Sequence, residues 1–517
     1  MRILFLTTVA VIVTQTAFAA TVRVPADHQT IQDAIDAATA GDTVVVSPGT
    51  YRERLTLKPG IVVQSDGDQT KGTTGLRRAE ATIIDGGGAG AAHPGVVMAQ
   101  DCILDGFTIT NVGRYDQMLW DKHFKSHGEE LGDDEGSMRA EGTIPAVSLR
   151  NISGTVIHCI VRHNGDVGIG ISGPGPAHHR ASVVRDNVVF QNMGGGIGIA
   201  DEAEPIIRGN VCRENLRAGI GCRNAAPIIT DNDCFGNIRA GIGCREGARP
   251  VIRGNRCRSN RRAGIGIRME DSAPIVEANQ CSENEMAGIG CRDGACPILR
   301  NNVCHHNKMA GIGCQNKARP LIVGNECRQN QMAGIGLRQQ ATALIQNNTC
   351  VDNRLVAVGV TEESVATILD NVLSRDGGQP PIIAVKDNSN ATIRDNRITG
   401  GGVAAILVQG NVMLLANTFT GSEPDQGTAV WIWKNSTATV SDNSFDGYRA
   451  AVIADRAVVR VTGNTIQRFQ SAAIIVKDSQ KPAHIHGNRA TSHDGNSKVV
   501  RLDGAAGIVA DNTLQIE

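Results

Sequence analysis

The chain has 517 residues, 51 Lys+Arg against 52 Asp+Glu and a net charge of −1, so any basic surface must be local. With 3% aromatics it lacks the basic and aromatic interleaving of a base-stacking surface, which makes nucleic acid an unlikely partner. No segment after the first twenty residues is apolar enough to cross a bilayer.

Met1-Arg2, an apolar run from Ile3 to Val13 and Ala17-Phe18-Ala19 read as a secretory signal peptide over 1–19. Ala20, not Cys, would be the first mature residue, which argues against a lipid anchor. The expected mature protein is exported, to the periplasm or beyond, without stable membrane insertion. Thr21 to Pro25 then reads as a strand. Gln29 to Thr39 reads as an amphipathic helix with Ile31, Ala34, Ile35 and Ala38 on one face. Gly41 to Val46 reads as the next strand. A helix here would cap an open stack of strands and block edge-to-edge association.

The tripeptide Gly-Ile-Gly recurs at 168, 196, 219, 241, 264, 288, 311 and 334, a period near 23 that signals a solenoid with one coil per repeat. Within a coil, apolar residues alternate over short runs and Asn and Gly punctuate them, which is strand periodicity broken by corners. The expected fold is all-β: a parallel β-helix of ~23-residue coils, with rungs ~4.8 Å apart. One asparagine set runs from Asn187 through Asn210, Asn232 and Asn255 to Asn512. A second, five residues later, runs from Asn192 to Asn353. Both read as stacked amide ladders, with Asn itself taking the left-handed corner conformation. The segments are 20–111 (cap and first coils), 112–142 (an insert), 143–360 (regular coils) and 361–517 (C-terminal coils).

Seven of the fourteen cysteines, Cys212, Cys234, Cys257, Cys281, Cys304, Cys327 and Cys350, stand two residues after the first ladder. Later coils place Leu373, Ile398, Phe419 and Phe445 there, so the position faces the core and the thiols read as small buried hydrophobes. Two alternatives remain open: disulfides between neighbouring rungs, or files of thiolate that hold Cu(I) with Met286, Met309 and Met332 nearby.

In Gly219-Ile220-Gly221-Cys222-Arg223, alternation turns Ile and Cys inward and Gly219, Gly221 and Arg223 outward. Repetition gives a glycine strip edged by Arg223, Arg245, Arg268, Arg292 and Arg338. From 206 to 354 there are 21 Lys+Arg against 12 Asp+Glu. Such a strip suits a long anionic ligand, because glycine permits close approach and guanidinium groups bind carboxylate bidentately. The opposing reading is a solvated face with each Arg paired to Glu246, Glu270 or Asp293. Phe107 and Cys159 look equivalent although 52 residues apart, which places an insert at 112–142. It gathers Asp116, Asp121, His123, His127, Asp133 and Asp134 as candidate acid–base groups or Ca²⁺ ligands, and Trp120 as a sugar-stacking ring. A second departure, 173–180, adds His178 and His179. Both loops are expected to overhang the arginine-bearing face.

Thr30-Ile31-Gln32-Asp33-Ala34-Ile35, Gly41-Asp42-Thr43, Pro48-Gly49-Thr50-Tyr51 and the Asn-x-[Cys/Ile/Leu/Phe] coils resemble the pectin-lyase-like right-handed parallel β-helix superfamily over the whole mature chain. The resemblance implies a protein that binds or modifies an acidic polysaccharide; if catalytic, it would be a lyase, hydrolase or epimerase. It equally admits a non-catalytic periplasmic accessory protein, similar to NosD of copper-enzyme maturation, or a surface scaffold. The polygalacturonase, epimerase and methylesterase signatures are absent; of them only the common pair Asp133-Asp134 appears.

Overall fold

The computed structural model describes residues 19–88, 93–126, 144–175, 180–421, 427–479 and 481–517. The signal-peptide reading, at 1–19, lies almost wholly outside them. Each coil contributes three short strands to three parallel sheets. The coil that begins at Ile228 gives Ile228–Thr230 to the first sheet, Asp233–Phe235 to the second and Ile242–Arg245 to the third. The first sheet contains 20 strands among the described residues. Neighbouring strands pair in register, as in Ile220↔Ile242, Gly221↔Gly243 and Cys222↔Cys244. Alternating residues enter one continuous core, and at Ile242 and Cys244 the side chains are essentially wholly buried. No described helix is long and apolar enough to cross a membrane.

The asparagine ladders hold the corners. Asn255 Nδ2 donates to the Ile229 and Asn279 oxygens at 2.9 Å each, and Asn255 Oδ1 accepts from the Asn232 backbone N–H and Nδ2 at 2.9 Å. The first ladder runs without a break from Asn187 to Asn512. The second starts one coil earlier than its sequence signal, at Asn164, and ends at Asn353. One expectation is corrected. The left-handed residue at each corner is the one before the ladder Asn, such as Asp231 (φ 57°) or Asp370 (φ 55°), not the Asn itself. That residue makes the turn, and the turn delivers the following amide inward to the buried carbonyls.

The cap helix spans Ile31–Ala37, shorter than expected. Thr30 Oγ1 accepts from Asp33 N–H and the Glu53 carboxylate accepts from the Ile31 and Gln32 N–H groups, so the helix start is satisfied from both sides. Ile31, Ala34 and Ile35 are buried against the first coils. At the other end, coils after Val356 carry strands of mostly five or six residues in the first and third sheets. There the second ladder has given out, and the buried Arg375 donates to the Asn353 and Pro380 carbonyls in its place.

The seven-cysteine file pairs Cys on Cys from Cys212 to Cys350 and continues as Leu373, Ile398, Phe419 and Phe445. All seven thiols are free and fully buried. Each stands in register on the next, one per coil, so the file reads as a packed stripe of small side chains.

Candidate ligand-binding face

The outer surface of the third sheet carries two glycine files, and they answer to different constraints. A methyl group at Gly241 would lie 2.8 Å from the Gly264 carbonyl oxygen and 2.9 Å from Asn260 Nδ2. Gly219, Gly264, Gly288 and Gly311 are equally confined, so this file is glycine because the next coil leaves no room. It belongs to the corner and not to the exposed strip, which corrects the outward placement of Gly219. Two residues on, the situation reverses. A methyl group at Gly221 would meet nothing within 4 Å, and at Gly243, Gly266 and Gly290 only an alanine methyl at 3.8, 3.5 and 3.6 Å. None of these has a left-handed φ. Neither packing nor backbone conformation requires glycine here, although glycine in a strand costs roughly 0.5–1 kcal/mol relative to alanine.

The result is a flat floor from Gly221 to Gly336, five coil steps or ~24 Å long. One edge is the arginine file, extended by register to Arg150 through Ser172 and Ala200. The gap left by Ser172 and Ala200 opens a pocket of about 330 Å³ lined by Arg150, Asn151, Gly173, Asp201, Glu202 and Asn224. Sequence reading missed Arg150 because two small residues separate it from the other arginines; register alone reveals it. Glu246 lies 3.6 Å from Arg223 and 3.3 Å from Arg245, and Asp293 lies 3.8 Å from Arg268 and 3.4 Å from Arg292. Arg338 donates to Gln315 at 2.9 Å. One carboxylate thus serves two guanidinium groups, which relieves like-charge stacking but leaves the file with a positive surplus.

The opposite edge holds Arg217, Arg239 and Arg262, then Met286, Met309 and Met332. Met286 and Met332 are 43% and 41% exposed, which identifies a rim and not a ligand set. The insert meets this edge. Asp116 Oδ1 caps a helix over Gln117–Lys125 by accepting from Leu119 N–H at 3.0 Å. Trp120, 5% exposed, packs against Leu216 and Ile238 and stacks on Phe124 at 4.6 Å. Its ring is committed to holding the helix down, so the sequence-based role as a sugar platform passes to other side chains. Asp121 accepts from Gln117 Nε2 within the helix, and His123 is half-buried beside it. Below the helix, Tyr115 lies 5.0 Å from the His163 ring, whose Nε2 meets Gln191 Oε1 at 2.9 Å. Burial, with Asp121 and Asp116 nearby, pushes the Tyr115 hydroxyl up to about 12, which keeps it protonated at neutral pH.

The structure therefore separates Asp116, Asp121 and His123 from the arginine file, one group at each edge of the same sheet. The loop after Gly173 departs from the arginine edge, so the two departures flank the face from opposite sides. His127, Asp133, Asp134, His178 and His179 lie outside the described residues, as does most of the segment assigned to Ca²⁺. Among the described residues no group of three or more His, Cys, Asp or Glu side chains is placed to share a metal. Nor do the cysteine files supply such a group: their thiols are buried in the core, one per coil on each file.

A family model described as a right-handed beta helix region matches residues 145–295, 259–382 and 381–515. No curated protein matches the chain in sequence. Among solved structures, the A-module of a mannuronan C-5 epimerase from Azotobacter vinelandii is 15% identical, with 76% of this chain and 89% of that one covered and a TM-score of 0.39. A periplasmic alginate epimerase is 12% identical over 71% and 81% of the two chains (TM-score 0.38). An alginate lyase from Paenibacillus is 14% identical over 62% and 98% (TM-score 0.32).

Proposed function

The chain belongs to the right-handed β-helix family, and from that premise we propose an exported protein that binds an acidic polysaccharide along the third sheet. The observation that carries this reading is the outward glycine file. Six glycines from Gly221 to Gly336 sit where alanine would fit and would be more stable, and a flat floor is what their retention produces. An extended chain of sugar rings lies against such a floor without steric contact, and its carboxylates fall beside guanidinium donors at five of the six coils, with Gln315 in the remaining one. The pairing with Glu246 and Asp293 holds those guanidinium groups in place along the edge of the floor. The docked helix borders the floor, so the 112–142 segment is the natural lid or reacting element if the protein turns its ligand over, by elimination, hydrolysis or epimerisation.

The test is steric. Gly243→Leu and Gly290→Leu raise two ridges on the floor without touching the core, and Arg245→Ala with Arg268→Ala removes two donors. Each pair should lower affinity for polygalacturonate or polymannuronate at least tenfold while thermal stability holds within a few degrees. The arginine pair should also flatten the salt dependence. Unchanged affinity in both pairs would eliminate the strip as the binding face. New unsaturated or reducing ends in the same incubations would mark an enzyme.

A further inference from the structure

The outward glycine file does not end at Gly359. Register continues it as Ala384, Leu407 and Trp431. The side chains on this file thus grow from hydrogen to methyl to isobutyl to indole within three coils; Gly359, Ala384 and Leu407 are buried, so the surface that leads to the indoles is the neighbouring file from Thr361 to Trp433. The arginine file continues beside it as Thr361, Lys386, Gln409 and Trp433, each joined to the coil before by the same backbone hydrogen bond. The two indoles therefore stand on adjacent files of one face, three coils before its last strand. Their centroids are 5.5 Å apart and their planes meet at 63°, so they form a step. Trp433 is 37% exposed and Trp431 is half-buried, with Ile453 and Ile475 packed beyond it.

An indole at position 433 has no packing reason, because the same position elsewhere holds Arg, Lys, Gln or Thr. The chain has only three tryptophans, and two of them stand here. An amphipathic ring at a half-exposed step suits the apolar C–H face of a pyranose, while the exposed Lys434 next in sequence and Lys386 two coils earlier on the same file suit uronate carboxylates. We propose that Trp431 and Trp433 form a sugar-stacking subsite that closes the strip, so that a long acidic polysaccharide lies on the glycines with one ring against this step. The inference rests on the strip reading. It adds a direction and a length: Trp433 is four coils, or ~19 Å, beyond Arg338, which a short oligomer held by the central arginines does not reach.

The test compares polymannuronate with its trimer on the full mature chain. Trp433→Ala should weaken the polymer about tenfold and leave the trimer unchanged. The polymer should shift tryptophan emission in the parent and in Trp120→Phe, and not in Trp433→Ala. Trp433→Gln, which copies Gln409 one coil earlier, repeats the test with a residue that the file already accepts. If Arg245→Ala with Arg268→Ala weakens both ligands but neither Trp433 variant affects the polymer, the subsite is overturned and the strip survives. If the arginine pair affects neither ligand, the strip itself fails. Equal losses for polymer and trimer in both Trp433 variants would also overturn the subsite, since they would place the effect elsewhere than at the end of the chain.

Discussion

Gly241 and Gly243 differ by one strand residue and by the direction of a single missing methyl group. Gly241→Ala drives that methyl into a backbone oxygen and a ladder amide, neither of which is able to move without shifting a coil, so a loss of about 1–3 kcal/mol is expected. Gly243→Ala places it at ordinary contact distance from Ala218 and removes the entropic cost of glycine, so stability should rise by up to about 1 kcal/mol. Paired denaturation curves on the two variants measure the difference directly. The Gly-Ile-Gly repeat was legible in the sequence, but which glycine was structural was not. Composition is identical at the two positions, and only the neighbouring coil distinguishes them.

At the scale of an element, the helix over Gln117–Lys125 is held by Trp120 on the solenoid and by Tyr115 on His163. Burial lowers the His163 imidazole below its ordinary value; the Gln191 hydrogen bond opposes that shift and Arg162 adds to it. A depressed folded value means that the neutral ring is favoured by the fold. The resulting stability is complete above about pH 6.5, the unfolded value, and is lost as pH falls through the lower folded value. Hydrogen-exchange protection over 117–125, taken relative to the intrinsic rate at each pH, should therefore fall as pH drops below about 6.5, and His163→Gln should remove that fall while global unfolding changes little. The sequence marked this segment as an insert by its broken period and its aromatic content. It gave no sign that Asp116 serves as a helix cap or that Trp120 faces inward, because the surface that buries Trp120 comes from Leu216 and Ile238, about a hundred residues later.

Across the whole molecule, each coil touches only its neighbours, so cooperativity depends on how strongly successive coils are coupled. The ladders are that coupling. Asn255→Ala strips two donors on Asn232 and the Ile229 carbonyl of their partner, at a cost of at least about 3 kcal/mol if they stay buried. Placed mid-stack, this change should broaden or divide the thermal transition, whereas Asn512→Ala at the last rung should leave it single. Calorimetry distinguishes the two. Cys257→Val, which exchanges one small buried side chain for another, should leave the transition nearly where it was.

The sequence by itself determined the coil, its period, its short stacked strands, the inward cysteines and both amide ladders. These follow from local alternation and from corners that repeat at a fixed interval, and a repeated local signal needs no distant partner to be read. Only the tertiary structure decided which glycines are free, that Arg150 joins the arginine file, that one acid serves two arginines, and that Trp431 and Trp433 stand side by side on the continuations of the glycine and arginine files. Each of those depends on register between coils. Register is a relation between residues some 23 apart in the chain and ~4.8 Å apart in space, and it is set by ladder hydrogen bonds and core packing acting together.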